Sequence, residues 1–157
     1  MYNMGEREAE TAKGEQGLKT MVRVHEGLIA KTVGQALEGV EEVAGAYLFG
    51  SALELCRPDS DIDIGLVIKP LSGEPETYYF KMALAVENRL GRLDGHPFDV
   101  IPLNTANSIF AFKVIKSGHL IYDRDHETVT DFIEIISRRY GENYPRYIES
   151  LRDIVGA

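Results

Sequence analysis

Residues 47–51 read Tyr47-Leu48-Phe49-Gly50-Ser51. Nine residues, Ala52 to Ser60, lead on to Asp61-Ile62-Asp63-Ile64. Side chains of a strand alternate between its faces, so Asp61 and Asp63 share one face with Cα atoms roughly 7 Å apart. Ile62 and Ile64 then face the other way, into a core. Two carboxylates projecting together from an apolar strand repel each other and call for a counter-ion, and an all-oxygen donor set suits Mg²⁺. Gly50 lets a phosphate or another backbone approach closely. Ser51 offers a hydroxyl and a backbone N–H to a phosphate oxygen. Metal on one side and phosphates on the other describe a triphosphate site.

A third carboxylate, Asp99, stands alone in the apolar run Phe98-Asp99-Val100-Ile101. If that strand neighbours the one carrying Asp61 and Asp63, Asp99 joins the cluster. Two metal ions about 4 Å apart can then activate an attacking oxygen and steady a departing pyrophosphate. Asp99, near the attacking hydroxyl, helps to remove its proton.

The rest of the chain supplies the frame. Residues 1–17 are polar, with no apolar period, and read as a mobile extension or a short solvated helix before a domain spanning 18–157. Met21, Val24, Leu28, Ile29, Val33, Leu37 and Val40 predict a helix from Leu18 to about Glu38–Gly39. Ala44–Phe49 and Ile62–Ile68 read as strands, the latter buried on both faces in its second half. Tyr79, Ala83, Val86, Leu90 and Leu93 mark an amphipathic helix. Phe98–Leu103 is a third strand and Ala106–Ser117 a helix closed by Gly118 as a C′ glycine. His119–Tyr122 forms a short fourth strand. Val129 to Tyr140 and Tyr144 to Val155 read as two helical segments separated at Pro145. The expectation is a single mixed α/β domain.

Seventeen Lys and Arg against 25 Asp and Glu leave a net charge of −8. An acidic chain without a basic run is poorly suited to gripping long nucleic acid, whose binding depends on phosphate neutralisation. No apolar run approaches the roughly 20 residues of a membrane span. The one cysteine, Cys56, excludes an internal disulfide. Without the apolar core of a secretory signal, the chain is expected to be cytoplasmic. His25, His96, His119 and His126 fall in no ligand spacing and read as structural or surface residues. Tyr140, Tyr144 and Tyr147, with Arg138, Arg139 and Arg146, read as an amphipathic helix packed on the domain or as a partner-docking surface.

Gly50-Ser51, Arg57-Pro58-Asp59-Ser60-Asp61-Ile62-Asp63-Ile64 and a later strand carrying Asp99 resemble the DNA polymerase β-like nucleotidyltransferase superfamily. More narrowly, they resemble its minimal nucleotidyltransferases, the MntA-type antitoxins. The resemblance covers roughly residues 20–140, including Ile115-Lys116-Ser117-Gly118-His119-Leu120-Ile121-Tyr122. It implies an α/β (α+β) nucleotidyltransferase fold, a small mixed β-sheet flanked by helices. It implies Asp61, Asp63 and Asp99 as catalytic metal ligands, Gly50 and Ser51 as the nucleotide-binding corner, two Mg²⁺ ions, and ATP as substrate. The implied reaction transfers AMP to an acceptor hydroxyl, a tyrosine of a HEPN-domain toxin, in a homo- or hetero-oligomer. A small-molecule adenylyltransferase of the aminoglycoside type and a non-catalytic toxin-binding module are the alternatives. The chain departs from the common pattern in its connector, one residue short of ten and lacking the frequent Arg-Gly.

Overall fold

The computed structural model describes residues 8–14 and 17–155. It begins with a two-stranded antiparallel hairpin, β1 (Glu8–Gly14) and β2 (Gly17–Arg23). This corrects two expectations at once: residues 8–14 are neither an unstructured extension nor a helix, and the helix expected from Leu18 does not start there. Val22 and Val24 are buried while Arg23 between them is exposed, a period of two that ends the hairpin as a strand. The base of the hairpin is tied to the connector by reciprocal backbone hydrogen bonds between Val22 and Cys56, both 2.8 Å. Residues 1–7 of the expected extension lie outside the described residues.

Helix α1 (Glu26–Ala36) starts only after His25, whose ring accepts from the Leu28 N–H at 3.3 Å and so caps the first turn. The order then runs β3 (Val43–Phe49), a 3₁₀ turn (Gly50–Leu53), β4 (Ile62–Ile68), α2 (Glu76–Leu90), β5 (Arg92–Leu93) and β6 (His96–Pro102). A second 3₁₀ turn (Leu103–Thr105), α3 (Ser108–Ser117), β7 (His119–Asp123) and α4 (His126–Val155) complete the fold. Leu93, expected on α2, belongs to β5 instead. Gly91 ends the helix, and Asp94 (φ 52°) with Gly95 (φ 80°) turns β5 back onto β6. Two successive residues at positive φ suit a tight hairpin whose twist matches its strands.

The five main strands form one mixed sheet in the order β5-β6-β4-β3-β7. Only β4 and β6 run parallel, because α2 carries the chain back over the sheet between them. One face is sealed by α1 and α2. There Ala46, Leu48, Ile62, Ile64, Leu66, Phe98 and Val100 pack with Leu28, Ile29, Val33, Ala83 and Val86. On the opposite face Tyr47, Val67 and Leu103 meet Ala111 and Val114 of α3 and Val129, Phe132 and Ile136 of α4.

Two further expectations change. Gly118 is not a left-handed cap: its φ is −80°. A Cβ there would meet the Val114 carbonyl at 2.6 Å and the Leu48 carbonyl at 2.9 Å, so glycine is required for close approach of α3 to β3. The two C-terminal segments are one continuous 30-residue helix with Pro145 inside it. Proline removes a single backbone N–H from the helix. A ladder of rings crosses the break: Phe112 stacks on Tyr140 at 3.9 Å, Tyr140 on Tyr144 at 5.1 Å, and Tyr144 faces Tyr147 at 6.5 Å.

Candidate active site

The sheet register builds the site. Phe49 at the end of β3 lies opposite Asp63 of β4, and Asp63 lies opposite Asp99 of β6. Three neighbouring strands therefore present Phe49, Asp63 and Asp99 in one row. Ile62 and Ile64 are buried on the α1/α2 side, so Asp63 projects toward the α3/α4 side, as does Asp99 between buried Phe98 and Val100. Asp61 sits one residue before β4, exposed, on the same side of the alternation as Asp63.

These carboxylates interact. Burial, then the charge of Asp99, then that of Asp61 push the Asp63 carboxyl from its usual range up to about 6. Asp99 is raised as well, by burial, then by Glu87, then by Asp61. Among the described residues no three Asp, Glu, His or Cys side chains close into a ready-made metal cage. The set is instead an open row of oxygen donors in which burial, and then neighbouring negative charge, raises the proton affinity of two members. That chemistry fits Mg²⁺, a hard cation that keeps several coordination positions for water and substrate phosphate.

Gly50 turns the chain beside the row. Its φ of +77° is a left-handed conformation that L side chains rarely adopt, and a Cβ there would collide with the Asp63 carboxylate oxygen. Glycine is thus required both by the backbone and by space. Ser51 follows in the 3₁₀ turn, exposed. The structure brings Gly50, Asp63 and Asp99 together, with Asp61 and Ser51 at the margin. Arg57 points to its turn neighbour Asp59 at 3.4 Å, both exposed.

Two supporting residues escape a reading of spacing alone. His96 is fully buried, and its Nδ1 lies 2.7 Å from the Ser60 carbonyl oxygen, holding the end of the connector from which Asp61 projects. Its Nε2 is buried and finds no partner among the described residues. Glu87 of α2 accepts from the Val100 N–H at 2.9 Å, pinning β6 beside Asp99 while adding negative charge. A carboxylate next to Val86 in an amphipathic helix gives no signal of this; only the packing of α2 on β6 reveals it.

The family described as polymerase beta, nucleotidyltransferase, matches residues 31–127, well over half of the chain. No curated protein matches. Among solved structures, a chain from the complex of tri-AMPylated Shewanella oneidensis HEPN toxin with MNT antitoxin is similar. It has 17% identity and a TM-score of 0.58, covering 85% of this chain and 100% of that one. A chain of the MntA–HepT toxin–antitoxin structure matches at 17% identity and a TM-score of 0.54, covering 83% of this chain and 98% of its own. A toxin–antitoxin structure with AMP-PNP contains a chain at 17% identity and a TM-score of 0.56, covering 82% and 98%. At such identities the structural likeness speaks for the fold, in agreement with the mixed sheet and its flanking helices. With the family match spanning α1 to the start of α4, including the whole carboxylate row and the Gly50 corner, the chain belongs to the polymerase beta nucleotidyltransferase family.

Proposed function

We propose that this nucleotidyltransferase transfers AMP from ATP to a tyrosine hydroxyl of a HEPN-domain toxin, in the role of an antitoxin. The observation that carries the reading is the row Phe49–Asp63–Asp99 beside Gly50. The structural relatives support the substrate and partner: one complex holds a tri-AMPylated HEPN toxin and another holds AMP-PNP.

Asp61, Asp63 and Asp99 would hold two Mg²⁺ ions. Bound there, Mg²⁺ neutralises the triphosphate and lowers the pKa of a coordinated hydroxyl. The Gly50-Ser51 corner offers backbone N–H groups and the Ser51 hydroxyl to the β and γ phosphates. The acceptor oxygen attacks the α-phosphorus, the bond from that phosphorus to the bridging oxygen breaks, and pyrophosphate leaves. Asp99 receives the hydroxyl proton. His96 and Glu87 position the carboxylates without touching substrate. Among the described residues no helix is long and apolar enough to cross a membrane; the proposed site of action is the cytoplasm.

The test is transfer of label from α-³²P-ATP to a HEPN-domain protein encoded beside this chain, with Mg²⁺ present. The expected result is label on the HEPN protein with wild-type chain and none with Asp63→Asn. Equal labelling by the two would overturn the assignment, and label on an aminoglycoside but not on the protein would move the acceptor to a small molecule.

A further inference from the structure

Beside the catalytic row, α3 and α4 enclose a groove of about 550 Å³. Its walls include Phe110, Phe112, Lys113 and Lys116 of α3 and Tyr140 and Tyr147 of α4. The groove lies on the same side of the sheet as the carboxylates. Asp63 and Asp99 project toward α3 and α4, and Phe49, opposite Asp63 in the register, meets Phe110 edge to face at 5.7 Å. At the other end of α3, Gly118 abuts the last residues of β3. Phe110 in the groove wall thus touches Phe49, the residue that precedes Gly50.

The charge of the groove is opposite to that of the molecule. The chain carries a net charge of −8, yet among the described residues no acidic one lines this cavity. Lys113 and Lys116 form no ion pair with any described residue. One helical turn apart, they stand beside partly exposed rings: Phe110 is 37% exposed and Tyr147 43%. Aromatic anchors supply contact area at low entropic cost, and unpaired cations orient an incoming partner of opposite sign.

Resting on the reading of this chain as a protein nucleotidyltransferase, we infer that the groove between α3 and α4 docks an acidic, tyrosine-bearing segment of the acceptor protein. Its carboxylates meet Lys113 and Lys116, and its apolar side chains lie against Phe110, Phe112, Tyr140 and Tyr147. An acidic acceptor is otherwise repelled by this enzyme, so the lysine pair selects both the place and the direction of approach.

A binding measurement tests this without requiring transfer. The probe is a fluorescent random copolymer of glutamate and tyrosine, titrated with the full-length Asp63→Asn chain and with the same chain carrying Lys113→Glu and Lys116→Glu. The expected result is a loss of affinity of about tenfold or more in the charge-reversed chain, with salt weakening the Asp63→Asn chain the more steeply. A copolymer of lysine and tyrosine should change the other way, and a cooperative thermal melt matching that of the Asp63→Asn chain shows that the variant is folded. If affinity falls for both copolymers, Lys113→Gln with Lys116→Gln decides: an intermediate loss supports docking, and none overturns it. Equal binding of the acidic copolymer by the two chains, or a parallel loss of ATP–Mg²⁺ affinity that would assign the lysines to the triphosphate, also overturns it. Failure of the transfer reading shows separately, as HEPN labelling that survives Asp63→Asn.

Discussion

The two faces of the sheet are built from the same strands and do different work. On the α1/α2 face, Ile29, Val33, Ile62, Ile64 and Leu66 are fully buried in a closed aliphatic layer. On the α3/α4 face, the alternate residues of β4 and β6 include Asp63 and Asp99, followed farther along by buried Val67 of β4 and half-buried Ile101 of β6. The difference is one residue of register: a strand that seals a core with one set of side chains presents its charges with the other. A closed core fills one side, and the other sets the carboxylates beside its own smaller core, so substitutions one position apart should have separable effects.

Substitutions on each face put that separation to the test. The largest effect is expected for Asp63→Asn, which should lower transfer at least about a thousandfold, or about 4 kcal/mol of barrier. Its melting temperature should not fall, because a repelling charge is removed. Ile64→Ala, its immediate neighbour, should show the converse: a stability loss of about 2–5 kcal/mol by denaturant unfolding, with kcat of the folded fraction close to wild type. A variant of Ile64 that folds normally but loses kcat would show that the faces are not independent. Gly50→Ala should cost roughly a hundredfold in kcat, since a methyl group there displaces the Asp63 carboxylate and a shift of about 1 Å at a reacting centre is enough for that. The smallest effect is on pH dependence without divalent cations. Asp63 binds its proton more tightly in the fold than in the unfolded chain, so its contribution to stability is fully present below about pH 4. It is lost as pH rises through about 6. The melting temperature of metal-free protein should therefore rise as pH is lowered from 7 toward 4, relative to Asp63→Asn, in which this component is absent.

The carboxylate face was legible in the sequence because its signals are local. The run Ile62–Ile68 is apolar enough to be a buried strand, and a carboxylate inside such a run stands out. The same holds for Asp99. Their meeting across β4 and β6 depends on a parallel pairing made by the α2 crossover, which no local pattern contains. Where local patterns were ambiguous, tertiary contacts decided. Met21 and Val24 fit a helical step while Val22 and Val24 fit a strand alternation, and the backbone pairing of Val22 with Cys56 goes with the strand. Pro145 is a common helix stop, yet the ring ladder from Phe112 to Tyr147 carries the helix through it. Asp94-Gly95 is a recognisable hairpin signal that the apolar spacing of Leu93 concealed. His96 is a structural residue as its lack of ligand spacing suggests, but its hydrogen bond to Ser60 places it under the connector that leads to Asp61.

The account rests on divalent cation and nucleotide being held jointly by the carboxylate row. Calorimetric titration of a non-hydrolysable ATP analogue, with and without Mg²⁺, into wild-type protein and into Asp63→Asn with Asp99→Asn tests this most directly. The predicted result is saturable binding that requires Mg²⁺ and disappears in the double variant. Equal binding with and without the cation, or binding unchanged by loss of both carboxylates, would contradict it.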